Sequence, residues 1–551
     1  LQPGEKVIVH AGTYRECVRP ARGGTAPDRM VAYEAADGDR VILRGSEVWS
    51  PAFTLSQGWE TGGARTWAGA LPKAWFVGYN PFQARNFSSE YTTFVSNWER
   101  EETEQLLLRR GMLFARPKGS DGDFHPLRQV YHARHLDEDD GTFWVEDSGL
   151  RLHLRMWGDA DPGEFEFEVT VREQIFAPEV QELGYIRVSG FRFDYAADGV
   201  PVPQRAMVSA ARGHHWIIED NTLEWANACG LDVGNETWHR SPKPPEAEAG
   251  YHIIRRNTVR HCGICGIAAV GNNAYTLVEN NLVEHVGHQH IERIWETGGL
   301  KFHLCDGVLI RRNVFRHIVD APGIWLDYRN RNSRITENVI ADVESLQGSI
   351  FLEVNHAPIL VDHNAIWDIK GAGGPGTGRG INVDTGEECV IAHNLLGCIR
   401  DEYAVSLNLR QSGRIVEGRV GLCRAHRVYN NLFFSCPKRI TLARTADNVS
   451  DGNLFDARDD ATSFRVETPA PEALLDLAAW QRYYGFDRAG AQTTIEADFD
   501  PETLLLTLSI AETPAPVEVE GYPDAGKTPN AGPVALKPGR RTYRIGAGPP
   551  S

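Results

Sequence analysis

The sequence predicts an all-β protein: a right-handed parallel β-helix with an inserted β-sandwich-like region. Three observations carry that expectation. A short motif built around asparagine recurs from about Trp216 to Phe434. A second segment with strict period-two alternation follows almost every copy. Each repeat holds at least two short strands and no amphipathic helix, and a unit that small buries its apolar face only by stacking on its neighbours.

The first coils are expected over residues 1–47, where VIVHAGTYRE, MVAYEA and RVILRG alternate like strands. Residues 48–182 are rich in Trp, Phe and Tyr and lack the repeat. Hairpin-like runs such as GTFWVEDSGLRLHLRMW mark them as a β-rich insertion, sandwich-like. The main helix is expected over 183–457. Its first motif appears as IIEDNTL, IIRRNTV, LVENNLV, LIRRNVF, RITENVI, LVDHNAI, VIAHNLL and RVYNNLF. The asparagines are Asn221, Asn257, Asn281, Asn313, Asn338, Asn364, Asn394 and Asn431. Stacked at a turn, they can hydrogen-bond up the column and tolerate left-handed backbone. The column therefore reads as structural. Residues 458–551 are expected to form a C-terminal cap and small β region, with a short helix around Pro471–Tyr484. Right-handedness follows from the crossover rule for parallel strands.

The second motif carries the chemistry. Its copies end GLDVG, GIAAV, GLKFH, GIWLD, SIFLE, GINVD and AVSLN. The alternation turns Ile324/Leu326 and Ile350/Leu352 inward. The last outward position then reads Gly234, Val270, His303, Asp327, Glu353, Asp384 and Asn408. Outward positions on such a coil face solvent by default. A run of acids one coil apart nevertheless costs like-charge repulsion, and a bare surface gains nothing from it. Asp327 and Glu353 would have Cα atoms about 4.8 Å apart. Retaining glycosidases hold their carboxyls about 5–5.5 Å apart and inverting ones about 6.5–9.5 Å. Adjacent carboxylates push their pKa values apart, so one stays protonated near neutral pH. Such a pair supplies one nucleophile and one general acid/base.

These residues resemble a known family. GIWLDYRN, RITENVI and IFLEVNHAPILVDHN, with the opening VIVHAGTYRECVRPARGG, are similar to the glycoside hydrolase family 120 β-xylosidases. The resemblance implies a retaining exo-enzyme that removes xylose from the non-reducing ends of xylo-oligosaccharides. It also implies a right-handed parallel β-helix interrupted by a β-sandwich region. It puts the nucleophile on Asp327 and the acid/base on Glu353. The insertion and the C-terminal region match that pattern least.

Around the pair, WETGGLKFH offers Trp295, Glu296, Lys301 and His303. Glu296 and His303 are candidates for sugar hydroxyls, and Trp325 for a ring face. Asn355 and His356 fit either a role in positioning Glu353 or a turn pair. Asp384 is a candidate for holding a hydroxyl or raising the pKa of Glu353. His285, His288 and His290 have the look of a metal cluster, but histidines in a variable loop more often contact solvent or sugar. No metal and no cofactor is assigned.

Composition bounds the partners. Lys plus Arg number 57 against 74 Asp plus Glu, a net charge of −17. Binding to nucleic acid or an anionic membrane is disfavoured, and no apolar run is long enough to span a bilayer. The expected partner is an oligosaccharide substrate, with homo-oligomerisation left open. The nine cysteines suggest no disulfide framework. Read as reduced thiols, they point to a cytoplasmic setting. The sequence opens mid-pattern at Leu1, so a missing signal peptide excludes nothing.

Two other enzyme readings stay open. One is another β-helix glycosidase, of fucosidase or arabinosidase type. The other is a calcium-dependent polysaccharide lyase or epimerase, with Asp327, Glu353 and Asp384 as metal ligands and Lys301 or Arg329 as base. The non-enzymatic reading is a carbohydrate-binding adhesin, which needs a groove but no paired acids.

Overall fold

The computed structural model describes residues 1–57, 64–86, 108–199, 205–234, 250–271, 273–290, 296–374, 376–408, 414–416, 418–444, 447–458, 462–468, 471–518, 530–531 and 534–546. Three long sheets wrap one core. The first has twelve strands from Lys6–Val9 to Val449–Asp451. The second has thirteen, from Gly12–Tyr14 to Ala491–Thr493. The third has eleven, from Val208–Ser209 to Ala473–Leu475. Neighbours are parallel almost throughout, as in Asn382↔Ser406 and Ile340↔Ile366. This is a parallel β-helix. Its core is the inward aliphatic face of all three sheets, including Ile254, Ile324, Leu326, Ile350 and Leu352, each fully buried.

The asparagine column forms a continuous ladder. Each Nδ2 donates to the Oδ1 of the next rung: Asn221 to Asn257 at 3.1 Å, Asn313 to Asn338 at 3.0 Å, Asn394 to Asn431 at 3.0 Å. Each Nδ2 also donates to a backbone carbonyl of the preceding coil, as Asn338 does to Ile310. Left-handed backbone falls one residue earlier than expected. Asp220, Arg256, Asn280, Arg312, Glu337, His363, His393 and Asn430 all have φ near +55°. Only Asn and Asp visit that region readily. The rung asparagines themselves are not left-handed. The ladder also runs past Asn431: Asn431 donates to Asn453, and Asn453 donates to the buried carboxylate of Asp487 at 2.7 Å.

The insertion leaves the helix at the strand Ser46–Trp49 and returns after Phe165–Thr170. Its strands follow one hydrogen-bonded order of eight, with a single apolar cluster that includes Trp49, Leu113, Phe143, Leu152 and Phe167. The two separate layers of a sandwich are not shown. Glu168 anchors the insertion to the first coils: both its oxygens pair with Arg15 at 2.7 Å, and it also accepts from Arg44 and Ser46.

At the C-terminal end the coils continue beyond residue 457, with Phe464–Thr468 in the third sheet and Ala491–Thr493 in the second. Leu477–Tyr484 is helical, but Ala473–Leu475 is a strand paired with Phe464–Val466. Three antiparallel strands, Ile495–Asp500, Leu505–Ile510 and Gly539–Arg544, complete the described residues. Their apolar face covers outward residues of the second sheet such as Val314, Val339, Trp367 and Leu432.

Candidate active site

The site lies on the third sheet. Four strands, Gly298–His303, Ile324–Asp327, Ile350–Glu353 and Ile381–Asp384, stack in parallel. The register pairs His303 with Asp327, Asp327 with Glu353, and Glu353 with Asp384. The residue after each is left-handed: Leu304, Tyr328, Val354 and Thr385 have φ of +49° to +57°. Bulky and β-branched residues rarely adopt that conformation. The bend ends each strand at the same point, so the four polar groups occupy one rim.

Solvent exposure is where these residues depart from expectation. Lys301, Trp325, Asp327, Glu296, Asn382 and Asp384 are all buried, although their positions point away from the helix core. They form a small second interior of charged groups. Lys301 Nζ lies 3.3 Å from Asp327 Oδ2 and 3.6 Å from Glu296 Oε1. His303 is flanked by carboxylates on both ring nitrogens, with Glu296 at 3.0 Å and Asp327 at 3.6 Å.

Arg414 is the member that the sequence did not reveal. Its Nη2 donates to Asp327 Oδ1 at 2.8 Å and its Nη1 to Glu353 Oε1 at 2.5 Å. One planar guanidinium therefore spans both carboxylates. Its Cζ lies 5.1 Å from the centre of the Tyr328 ring. Tyr328 in turn donates to the carbonyl of Ile415, next to Arg414. Arg414 belongs to a stretch without the repeat, so no periodicity could place it over the acid column.

The two carboxyls are driven apart in ionisation. Burial alone would raise Asp327, but His303, Lys301 and Arg414 together hold it well below the usual carboxylate range. Glu353 goes the other way. Burial and the neighbouring Asp327 charge push it up to about 8, with Asp384 adding to the rise. The short contact to Arg414 opposes that shift. Burial outweighs it: Lys301 and His303 pair with Asp327 directly, while Glu353 has Arg414 as its one ion-pair partner among the described residues. Glu296 is held low against its burial by Lys301 and His303. One carboxylate and one carboxylic acid side by side are the elements of nucleophilic attack and proton donation.

The remaining candidates separate. Asp384 Oδ1 accepts from the Thr385 hydroxyl at 2.8 Å. Trp325 is tilted against Phe351, and the Lys301 ammonium covers its ring at 3.3 Å, so one face is already occupied. Its buried Nε1 has no partner, nor does the Oδ1 of the buried Asn382. Asn355 takes the turn-pair role. It is fully buried, donates to the carbonyl of Leu326 at 2.8 Å and accepts from the backbone N–H of Asn330. Asn330 then donates to the carbonyl of Asp327 at 2.7 Å. This short second ladder fixes the turn after Asp327 and does not touch the Glu353 carboxyl. His356 packs beside Gly421, where a Cβ would come within 2.6 Å of its Nε2.

The three histidines form no single cluster, and His285 lies in the strand Leu282–Val286 and not in a loop. His285 joins a ring stack running Trp225, His261, His285, His317. His288 is half-buried, edge-on to Trp225 and His261, and His290 pairs with Asp320 at 2.6 Å. Trp295 lies outside the described residues.

A family model for a right-handed β-helix region matches residues 203–396. Among solved structures, the chain is similar to XylC in complex with xylose. The TM-score is 0.68 at 18% identity, covering 98% of this chain and 95% of that one. It is also similar to a structure described as a glycoside hydrolase, at TM-score 0.38 and 14% identity over 70% of this chain and 89% of that one. The second likeness is too distant to carry an argument, and the first establishes the fold. No curated protein matches the chain.

Proposed function

We propose that this chain is a retaining exo-glycosidase, a β-xylosidase acting on the non-reducing ends of xylo-oligosaccharides. The observation that carries the reading is the Asp327–Glu353 pair: one coil apart, bridged by one guanidinium, and split in ionisation. The likeness to a protein solved with xylose, over nearly the full length of both chains, supports the choice of sugar.

In this reading Asp327 is the nucleophile. Lys301, His303 and Arg414 keep it ionised, and Asn330 and Asn355 hold its strand end. Glu353, protonated, gives its proton to the departing glycosidic oxygen while Asp327 bonds to the anomeric carbon. Glu353, now ionised, then takes a proton from water, which attacks the same carbon and frees Asp327. Arg414 occupies the space between the carboxyls in the free protein, so a bound sugar takes over part of its place. Glu296 and His303 are the groups assigned to sugar hydroxyls.

The lyase reading is less well supported. A divalent cation on Asp327 would have to displace Lys301, His303 and Arg414, which already face its oxygens.

Proton NMR of the first sugar released from a β-xyloside tests the proposal. Carboxyls on directly paired positions one coil apart match the retaining spacing of about 5–5.5 Å better than the inverting one of about 6.5–9.5 Å, so β-xylose is expected first. If α-xylose appears first, Asp327 does not attack the sugar.

A further inference from the structure

Arg414 reaches the acid pair from an arm that leaves the helix between the strands Val405–Asn408 and Arg427–Tyr429. The arm carries no copy of the repeat. Its described residues, 414–416 and 418–426, hold one tight turn, in which Val416 and Arg419 each donate an N–H to the other's carbonyl. Ile415, Val420 and Leu422 are exposed on it. Fixing a segment of this kind costs about 1–2 kcal/mol per residue in backbone entropy. Contacts from the helix must supply that.

The strongest of them come from Glu387. It stands three residues after Asp384 and is fully buried. Its backbone N–H donates to the carbonyl of Asn355 at 2.8 Å, which ties it to the coil of Glu353. Its carboxylate faces the arm. Arg419 donates to it with both Nη groups, Nη2 reaching Oε2 at 2.8 Å. The N–H of Leu422 donates to Oε1 at 2.9 Å, and Arg424 Nε lies 3.5 Å from Oε2. Three residues of the arm thus converge on one carboxylate, and a two-pronged arginine pair fixes direction as well as distance. Between them the arm lies on the rim itself: a Cβ at Gly421 would come within 2.1 Å of the Thr385 carbonyl oxygen. Burial would raise the Glu387 carboxyl, but Arg419, the Leu422 N–H and Arg424 hold it at about 2. It is therefore already ionised throughout the range in which Glu353 titrates.

The path from Glu387 to the acid pair runs through Arg419, across the turn to Val416, and on to Arg414, whose guanidinium spans Asp327 and Glu353. On the other side Tyr328 donates to the carbonyl of Ile415. We infer that Glu387 is a positioning residue: it clamps the arm so that Arg414 stands across both carboxyls. The clamp stands on the contacts of Glu387. Its consequence for turnover rests on the glycosidase reading of the acid pair.

Two measurements on the full chain test the inference. Trypsin cuts after arginine, so Arg414, Arg419 and Arg424 are cleavage sites within the arm. Hydrogen bonds to a charged group are worth about 1.5–3 kcal/mol, so cleavage in the arm should be about tenfold faster in Glu387→Gln, while peptides from the β-helix appear no faster. The second measurement is the alkaline limb of kcat/KM on xylobiose. It reports Glu353, which faces Asp327, Arg414, Lys301 and Asp384. In Glu387→Gln the limb should move to higher pH, the direction expected for Arg414→Ala. The double variant should move no further than Arg414→Ala alone, because both changes act through one group. Arg419→Gln alters an arm side chain that is 45% exposed and should reproduce the shift without touching the buried position. Unchanged trypsin cleavage in Glu387→Gln would overturn the clamp. A limb that stays in place in both single variants, or shifts that add in the double variant, would overturn the link to Arg414. A wild-type protein without glycosidase activity, whose arm is still cut faster in Glu387→Gln, would sink the proposed function and leave the clamp standing.

Discussion

The asparagine ladder and the acid column are both stacks of one polar side chain per coil, built on the same helix. In the ladder, every amide donates to the rung ahead and accepts from the rung behind, so like side chains satisfy one another. In the acid column a carboxylate only accepts, and a protonated carboxyl has a single O–H to give. Such groups do not complete one another as the amides do, and Lys301, His303 and Arg414 are drawn in to balance Asp327 and Glu353. Even so, Trp325 Nε1 and Asn382 Oδ1 are left buried and unpaired nearby. A buried polar atom without a partner costs about 1–3 kcal/mol. A self-complementary stack is explained by the fold it supports. A stack that needs outside help and still leaves atoms open fits the substrate site proposed for it.

The largest test of that contrast removes the charge that the column is built to hold. Asp327→Asn should keep the melting temperature within a few degrees and lower kcat on xylobiose by roughly a thousandfold or more. Turnover near the wild-type level would make the acid column as structural as the ladder.

Glu353→Gln should lower kcat on xylobiose by about 10²–10⁴-fold, and far less on an aryl xyloside with a good leaving group. Equal losses on the two substrates would leave Glu353 with a binding role only. In the wild type the sign of the pH dependence is fixed by the same pair. The protonated form of Glu353 is present below about 8 and lost above it, so kcat/KM should fall as pH rises through that value. Asp327, held low, should cause no loss until the pH is well below the ordinary carboxylate range.

The converse experiment puts an acid into the ladder. Asn338→Asp replaces a rung that donates to Ile310 and Asn364 by a group with nothing to donate. An unpaired buried charge costs about 3–5 kcal/mol, and denaturant unfolding at pH 7 should show a loss of that size. The folded-state pKa of the new carboxyl is raised, so the destabilisation should shrink as the pH falls and the group protonates. A loss independent of pH would mean that the ladder tolerates charge as the acid column does.

The smallest effect is expected at Arg414. Arg414→Ala removes a cation shared by both carboxyls. It should lower kcat/KM about tenfold or less and move the alkaline limb to higher pH, because Glu353 loses its ion-pair partner. A limb that moves to lower pH would mean that Arg414 does not stabilise the ionised form of Glu353.

Features that repeat were legible in the sequence. The motif around each asparagine and the IWLD and IFLE segments fix the coil, its inward face and the register of Asp327 with Glu353. Features that lie between repeats were not. Arg414 follows a strand end in a stretch without periodicity, and its approach to the column is tertiary. The burial of the outward column, and the C-terminal sheet over Trp367 and Leu432, depend on what packs against the helix from outside. Asn355 stands beside the acid in sequence but turns towards the backbone of the previous coil, as its short polar side chain readily does. Asn453 and Asp487 extend the ladder from a region where the motif has faded, because hydrogen bonding demands only the amide and the terminal acceptor.

The ladder also has a direction. From Asn221 to Asn453 every side-chain amide sends one N–H towards the C-terminal coil and the other back to a carbonyl of the preceding coil, with its oxygen towards the N-terminal side. The backbone N–H of each rung donates to the same next oxygen. Peptide amides of about 3.5 D aligned head to tail sum to the macrodipole of an α-helix, and aligned side-chain amides add by the same rule. The β-helix thus carries an axial dipole through its interior, positive at the C-terminal end. There the last N–H groups meet Oδ1 of Asp487, whose Oδ2 accepts from Ser450 and Trp480. Burial raises that carboxyl, and the hydrogen bonds converging on it pull the other way. The final rung of the stack is thus a carboxyl, and the column of amides ends on an acceptor that takes up its last N–H groups.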